Sequence, residues 1–375
     1  MNLLFDLACT QPNSSGKRHG GGKYGEIIFI QMIRKGIKFS CFYDSRYWIN
    51  PQIKDLCNTN SIPLYDLSKI SIKTIIEKYH IDRLYSAIPQ KLALTSTCEI
   101  IGTVHGLREL ETPLDKIFFE YKHSFKELLK FTIKYYFPQI YHQRKKKQYI
   151  KYYLNSPLKV ITVSEHSKYA FMAYFPESRN KEIKVFYSPN TSPDHSIPLN
   201  NNNEKYFMLV SGNRWEKNNL RAIKAFDRLV SMGQIKDVKM KVTGTDGNCF
   251  RYKIQNPTSF EFLGYVDEEQ LDKLYANAYL FIYPSLNEGF GYPPIEAMKY
   301  KTPVIASPLS SIAEICGEGV LFFNPFSVEE IMNRMMMMMD TERHQKFAEK
   351  GYNQYLKIKE RQEKDLDLLI DYISQ

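Results

Sequence analysis

No run of eighteen apolar residues occurs in this 375-residue chain, so no segment is expected to cross a membrane. The start, Met1 to Leu7, has neither a basic leader nor a long apolar core, which argues against a secretory signal and for a cytoplasmic protein. Cysteine is sparse: six residues stand at 9, 41, 57, 98, 249 and 316 without a C-x-x-C pair. That spacing supports neither a zinc site nor a disulfide framework, and predicts reduced, mostly buried thiols. The glycine-rich stretch near the start lacks both the G-x-G-x-x-G and the G-x-x-x-x-G-K-[ST] spacings, so it supports neither a dinucleotide fingerprint nor a P-loop. The D-x-D at Asp365 and Asp367 lies in a charged tail, away from any position where it would hold a metal–diphosphate pair.

What is present is globular: 43% hydrophobic and 25% charged residues, at a length that suggests two domains. The net charge of +10 points to an anionic partner, and nucleotide, phospholipid surface and nucleic acid all qualify. The densest signal is Pro284 to Ser307, P-S-L-N-E-G-F-G-Y-P-P-I-E-A-M-K-Y-K-T-P-V-I-A-S. Tyr279 to Tyr283 before it has the length and aromatic content of a buried strand. A glycine-bearing loop follows, and Pro293 and Pro294 open a short helix, because proline is best tolerated in a first turn. Pro303 then returns the chain to a strand through Val304, Ile305 and Ala306. With Pro294 as first helical residue, Glu296 falls in the first turn. Glu288 and Glu296 can then face one crevice at the carboxyl end of a strand, where open α/β sheets bind ligands. Gly289 and Gly291 allow close backbone approach, and the helix start favours an anion. The plainer alternative is a first-turn glutamate serving its own helix dipole.

The stretch resembles the E-x7-E signature of the retaining GT-B glycosyltransferases (glycosyltransferase family 4, glycosyl transferases group 1), with E-G-F-G-x-P-P-x-E-A-M matching closely. The resemblance covers most of the chain and is weakest between residues 110 and 155. It implies an α/β GT-B fold, two Rossmann-like domains facing each other across a deep cleft. The expected division is 1–190 for an acceptor-side domain, 191–204 for a Pro/Ser/Asn-rich linker and 205–350 for a nucleotide-sugar-binding domain. A charged helical tail, 351–375, would cross back to the first domain.

Other segments extend the resemblance. The loop from Gly16 to Gly25, between a strand at Leu3 to Phe5 and a helix through Ile27, places Gly20, Gly21 and Gly22 where the family touches donor and acceptor. T-V-H-G puts His105 at the end of the strand Glu99 to Val104, beside the donor sugar in the family, with Arg108 as its neighbour; a structural histidine is the alternative. V-S-E-H-S makes Ser164 a helix cap. Lys217-Asn218 fits the family loop that neutralises the leaving diphosphate, while Arg214 stands three residues before the lysine instead of about five. The Gly264-Tyr265-Val266 loop lies against the base in the family. Lys301 replaces the usual helix-ending glycine, which closes such a helix in left-handed geometry, so a strained or differently closed turn is expected. Met335 to Met339 is expected to pack a helix. Separately, residues 116–153 combine helical spacing of Phe118, Tyr121, Phe125 and Leu128 with lysines at 122, 126, 130 and 134, then Arg144 to Lys147. That segment reads either as an anionic-membrane face or as a solvated helix face.

Taken together, the expectation is a retaining, metal-independent, nucleotide-sugar-dependent hexosyltransferase acting on a glycan or lipid-linked oligosaccharide in cell-surface polysaccharide synthesis. It would need no cofactor beyond the nucleotide-diphosphate sugar as co-substrate, would bind no nucleic acid, and would sit in the cytoplasm or peripherally on the inner membrane face. Glu288, Lys217, Arg214 and His105 are the expected catalytic residues, and Glu296, Gly289, Phe290, Gly291, Gly20 to Gly22 and Tyr265 the donor contacts. The alternatives are a catalytically inactive nucleotide-sugar or carbohydrate-binding protein, or a GT-B epimerase.

Overall fold

Short apolar runs alternate with helical stretches along most of the chain, and in the computed structural model they form two parallel sheets. The structure describes residues 1–12, 20–89, 98–121, 124–154, 158–190 and 204–375. The chain divides into two units. The first comprises Met1–Leu107, Gln143–Pro193 and Glu360–Gln375; the second comprises Arg108–His142 and Asp194–Lys359.

In the first unit the strands are β1 (Leu3–Asp6), β2 (Ser40–Tyr43), β3 (Leu64–Asp66), β4 (Arg83–Ser86), β5 (Glu99–Val104), β6 (Leu158–Thr162) and β7 (Ile183–Val185). They pair in parallel in the order β3-β2-β1-β4-β5-β6-β7. In the second unit β8 (Lys205–Leu209), β9 (Val238–Thr243), β10 (Phe260–Gly264), β11 (Leu280–Tyr283), β12 (Val304–Ala306) and β13 (Leu321–Phe322) pair in parallel as β10-β9-β8-β11-β12-β13. In each sheet the order reverses beside the first strand, between β1 and β4 and between β8 and β11. The loops at the carboxyl ends of those strands diverge there and leave a crevice. β1 and β11, beside the reversal points, are buried at every residue, as strands of a sheet covered on both faces are.

Two local expectations change, and a third lies outside the described residues. The helix after β1 begins at Gly20 and runs to Arg34, so Gly20 to Gly22 form its first turn and not a loop, while Gly16 to His19 lie outside the described residues. The linker at 191–203 also lies outside them. Residues 108–142 pack with the second unit, against the expectation of one domain over 1–190. The reason is visible in the contacts. Phe118 sits 5.5 Å from the Trp215 ring, Tyr121 Oη accepts the Leu220 amide at 2.9 Å, and Asp115 pairs with Arg221 at 2.7 Å. Tyr121 is 2% exposed and belongs to the same core as Phe207, Phe226 and Phe250, so burying it outweighs chain continuity with β5.

One continuous helix, Thr341–Ser374, ends the chain. Its last part packs in the first unit. Asp367 and Asp371 pair with Lys35 at 3.1 Å each, and Asp365 accepts the Tyr187 amide at 2.9 Å and Arg361 Nε at 2.7 Å. The two aspartates of the D-x-D are therefore committed to holding the tail.

Lys301 closes the Tyr292–Lys299 helix at φ 57°, the strained of the two turns expected, and its ammonium reaches Glu349 at 2.8 Å. Both side chains of that pair are half exposed, so it offsets little of the backbone cost. Lys301→Gly should raise stability by about 0.5–1 kcal/mol, read as a higher urea midpoint at unchanged slope. A lower midpoint would mean that the ion pair outweighs the strain.

Candidate active site

In the first unit, His105 follows β5 directly. Its Nε2 lies 2.9 Å from the Ala87 carbonyl, a geometry in which Nε2 carries the proton, and its ring meets Tyr24 edge-on at 4.7 Å. Gly106 has φ 121°, which a side chain would resist, and its carbonyl accepts the Tyr149 hydroxyl at 3.2 Å. These contacts orient the ring. Ser164 is buried and caps its helix, accepting the Ser167 amide at 3.1 Å, as its position at the end of β6 predicts.

The second unit carries the denser constellation. Two loops meet at its switch point: residues 210–218 after β8 and residues 284–291 after β11. The first is held by Asn218, whose side chain donates to the Pro284 carbonyl at 3.2 Å and the Pro325 carbonyl at 2.7 Å. Asn218 itself sits at φ 57°, a conformation asparagine tolerates. The second loop is tied by the Leu286 amide to the Glu216 carbonyl at 2.8 Å, and by Ser311 Oγ to the carbonyls of Glu288 and Phe290 at 3.0 and 2.8 Å.

Between the loops, Lys217 and Glu288 form a buried pair, Nζ to Oε1 2.5 Å, with exposures of 5% and 7%. Lys217 also donates to Tyr283 Oη at 3.0 Å. Glu288 takes Ser285 Oγ at 2.6 Å and Arg108 Nη2 at 3.2 Å, and its own amide donates to Ser310 Oγ at 2.8 Å. Glu111 accepts Asn287 at 3.1 Å, which fixes the Arg108 segment against this loop.

The charges do not balance. Burial would push the Glu288 carboxyl up, but the charges of Lys217 and Arg108, with hydrogen bonds from Lys217 and Ser285, outweigh it and hold the group at about 2. Lys217 is pushed down, first by burial and then by the Arg214 and Arg108 charges, against the pull of Glu288. Glu288 contacts two cations, Lys217 and Arg108, and the Arg214 charge adds at Lys217. The site is built with surplus positive charge in a poorly solvated crevice, an arrangement that favours a multiply charged anion.

Gly291 begins the Tyr292–Lys299 helix at φ 104°, where only glycine is comfortable. Pro293 and Pro294 are its second and third residues, so Tyr292 is the only one of the first three with an N–H. Helix-start amides therefore contribute less than a typical N-terminus, and more of the site's positive character falls to Lys217, Arg108 and Arg214. Because the helix opens at Tyr292, Glu296 is its fifth residue and lies in the second turn, two positions later than expected with Pro294 first. Burial pushes the Tyr275 hydroxyl well up and the Glu296 charge adds to it, which puts that carboxylate beside Tyr275.

Of the expected residues, Lys217 and Glu288 are brought into contact, with Gly289, Gly291 and Glu296 on the same loop and helix. Arg214 is exposed and acts on Lys217 through its charge. The Phe290 side chain is buried and leaves only its backbone to a ligand. Tyr265 is 82% exposed just beyond β10. Gly20 to Gly22 and His105 belong to the first unit. Arg108 stood in the sequence only as a neighbour of His105, and Ser285, Tyr283 and Ser310 carried no signal apart from their positions in or after the strands.

Residues 191–354 match the family model described as glycosyl transferases group 1. The O-antigen chain mannosyltransferase B of Escherichia coli is 27% identical over 229 residues, covering 56% of this chain and 59% of that protein. The O-antigen chain mannosyltransferase RfbU of Salmonella typhimurium is 48% identical over 64 residues, 17% of this chain and 18% of that protein. The aligned parts thus span little more than half of the first relative and less of the second. Among solved structures, Anabaena HepE in complex with UDP and glucose superimposes with a TM-score of 0.63 at 15% identity, over 100% of this chain and 99% of that one. WaaG, a glycosyltransferase involved in lipopolysaccharide biosynthesis, gives 0.64 at 14% identity, over 98% and 99%.

Proposed function

Since the chain belongs to the glycosyl transferases group 1 family and has the GT-B fold, we propose that it transfers a hexose from a nucleoside-diphosphate sugar to a hydroxyl of a glycan or lipid-linked oligosaccharide. The observation that carries this reading is the buried Glu288 carboxylate set among Lys217, Arg108 and Arg214 at the switch point of the second sheet.

Leaving-group departure places two negative phosphates where a glycosidic bond breaks. Lys217, held against Tyr283 and Glu288, is positioned without further reorganisation to neutralise the developing charge, with the Arg108 and Arg214 charges adding to it. Glu288 stays ionised and fixes Lys217; its remaining lone pairs accept sugar hydroxyls. It is ion-paired on both oxygens, so it serves as a positioning group and not as a nucleophile of the glycosidase kind. Glu296 accepts the ribose hydroxyls. Transfer proceeds with retention, the departing phosphate taking the acceptor proton, and needs no metal because side-chain cations supply the positive charge.

The mannosyltransferase relatives support mannose as the hexose and a cell-surface polysaccharide as the product. The UDP and glucose bound by the structural neighbour leave the base to be chosen by experiment. Mannosyl and glucosyl nucleoside diphosphates with each common base should be screened for thermal stabilisation. One donor raising Tm well above the free sugars identifies the substrate, and a flat panel removes the reading. Slow release of sugar from that donor to water would separate a transferase from an inactive binding protein. Glu296→Ala should weaken the donor about 10- to 100-fold in calorimetry, the worth of hydrogen bonds to a charged group. Unaltered affinity would remove Glu296 from the ribose. The reading places the enzyme in the cytoplasm, at the inner membrane face when its acceptor is lipid-linked. Among the described residues no helix is long and apolar enough to cross a membrane.

A further inference from the structure

The Phe125–Tyr136 helix is apolar on both faces. Its inner face packs Phe131 and Tyr135 on Phe118 at 4.8 and 5.9 Å. Its outer face carries Phe125, Leu129, Ile133 and Tyr136, and the chain continues the row through Phe137 and Ile140 into the Pro138–Tyr149 helix. These six side chains are between 50% and 79% exposed. Phe118, Tyr121, Phe125 and Leu128 recur at helical spacing in the sequence. Phe118 and Tyr121 are buried in a separate 3₁₀ helix, Lys116–Tyr121, whereas Phe125 opens the next helix and faces outward. Lys126 and Lys130 lie exposed along the row, whereas Lys134 is drawn inward over the Tyr141 and Trp215 rings at 4.5 and 5.2 Å.

A row of large apolar side chains at helical spacing has no folding reason to face water, since turning each one out forgoes its burial. We propose that this face docks on an anionic lipid bilayer, lying in the interface with the apolar row in the acyl boundary and Lys126 and Lys130 on the headgroups. Charge complementarity selects this occupant. The described stretch 124–142 holds three lysines against a single acidic residue, Glu127, and the Pro138–Tyr149 helix goes on to Arg144, Lys145, Lys146 and Lys147. A lipid surface satisfies both the apolar row and its cations. A second copy meeting the same face across a two-fold axis would bring Lys126 and Lys130 near the same lysines of its partner. The inference deepens the reading above by naming the surface that brings a lipid-linked acceptor within reach.

The test is flotation of the chain, without donor or acceptor, on vesicles of phosphatidylglycerol with phosphatidylcholine and on phosphatidylcholine alone. Wild type should float with the anionic vesicles and stay behind with the neutral ones. Leu129→Asp/Ile133→Asp should lower partitioning at least tenfold with unchanged circular dichroism. Lys126→Ser/Lys130→Ser should lower it by roughly fivefold per lysine, an effect that high salt erases. Failure of wild type to bind, or binding by the double aspartate variant equal to wild type, overturns the proposal. So does a wild-type dimer that the aspartate variant splits, which would make a second copy the occupant. Because no donor is present, a failure here leaves donor binding and transfer as they stand.

Discussion

Lys217→Ala lowers kcat by about 10²- to 10³-fold while the chain stays folded. The magnitude is that of removing one preorganised group aimed at charge that develops only as the bond breaks. Lys217 is fixed by Tyr283 Oη at 3.0 Å and Glu288 Oε1 at 2.5 Å, so it needs no reorganisation during reaction. The fold tolerates its loss because Glu288 keeps Arg108 at 3.2 Å and Ser285 at 2.6 Å. Burial and the neighbouring cations also already disfavour the Lys217 charge, so removing it relieves repulsion. Steady-state rates at saturating donor, set beside urea melts of the same preparation, check both halves. A wild-type kcat would sink the leaving-group role.

Glu288→Ala has the opposite profile, because it strands Lys217 in a buried site beside Arg108. Losing one partner of a buried pair costs about 3–5 kcal/mol, so this variant should melt far below wild type and below Lys217→Ala. Glu288→Gln keeps the shape and loses the charge. It also isolates the pH dependence. The folded-state Glu288 is held at about 2, below its unfolded value of about 4.3. Its stabilisation is thus fully present above the unfolded value and is lost as pH falls toward 2. The stability gap between wild type and Glu288→Gln should be widest near pH 6 and close progressively between about pH 4.5 and pH 2. A gap independent of pH would mean that the carboxylate charge is not what holds the loops together.

Much of this was legible in local sequence. Pro284 to Ser307 reads as strand, loop, helix and strand because each boundary has its own residue: the apolar run ending at Tyr283, the glycine at 291, the prolines at 293 and 294, and Pro303. At Lys301 the missing glycine pointed to a strained or differently closed turn, and the structure shows the strained one, with φ 57°. The capping box of Asp267 and Gln270, which opens the Glu268–Asn277 helix, is local in the same way. What was not legible depends on long-range packing. Arg108 and Glu288 are 180 residues apart, and nothing local to either announces the contact. The transfer of residues 108–142 to the second unit follows from burying Tyr121 and Phe118 against Trp215 and Leu220, a choice periodicity cannot make. Phe125 illustrates the limit of periodicity directly: it shares helical spacing with Phe118 and Tyr121, yet those two are buried in one element and Phe125 is exposed on the next.

The central claim is that the loops after β8 and β11 form a diphosphate site with surplus positive charge. Titration calorimetry of a nucleoside, its monophosphate and its diphosphate into the wild-type chain tests it most directly, using the base that the stabilisation screen selects. The diphosphate should bind at least tenfold more tightly than the monophosphate, with the nucleoside weaker still and the preference shrinking as salt rises. Equal affinity for all three would contradict the account.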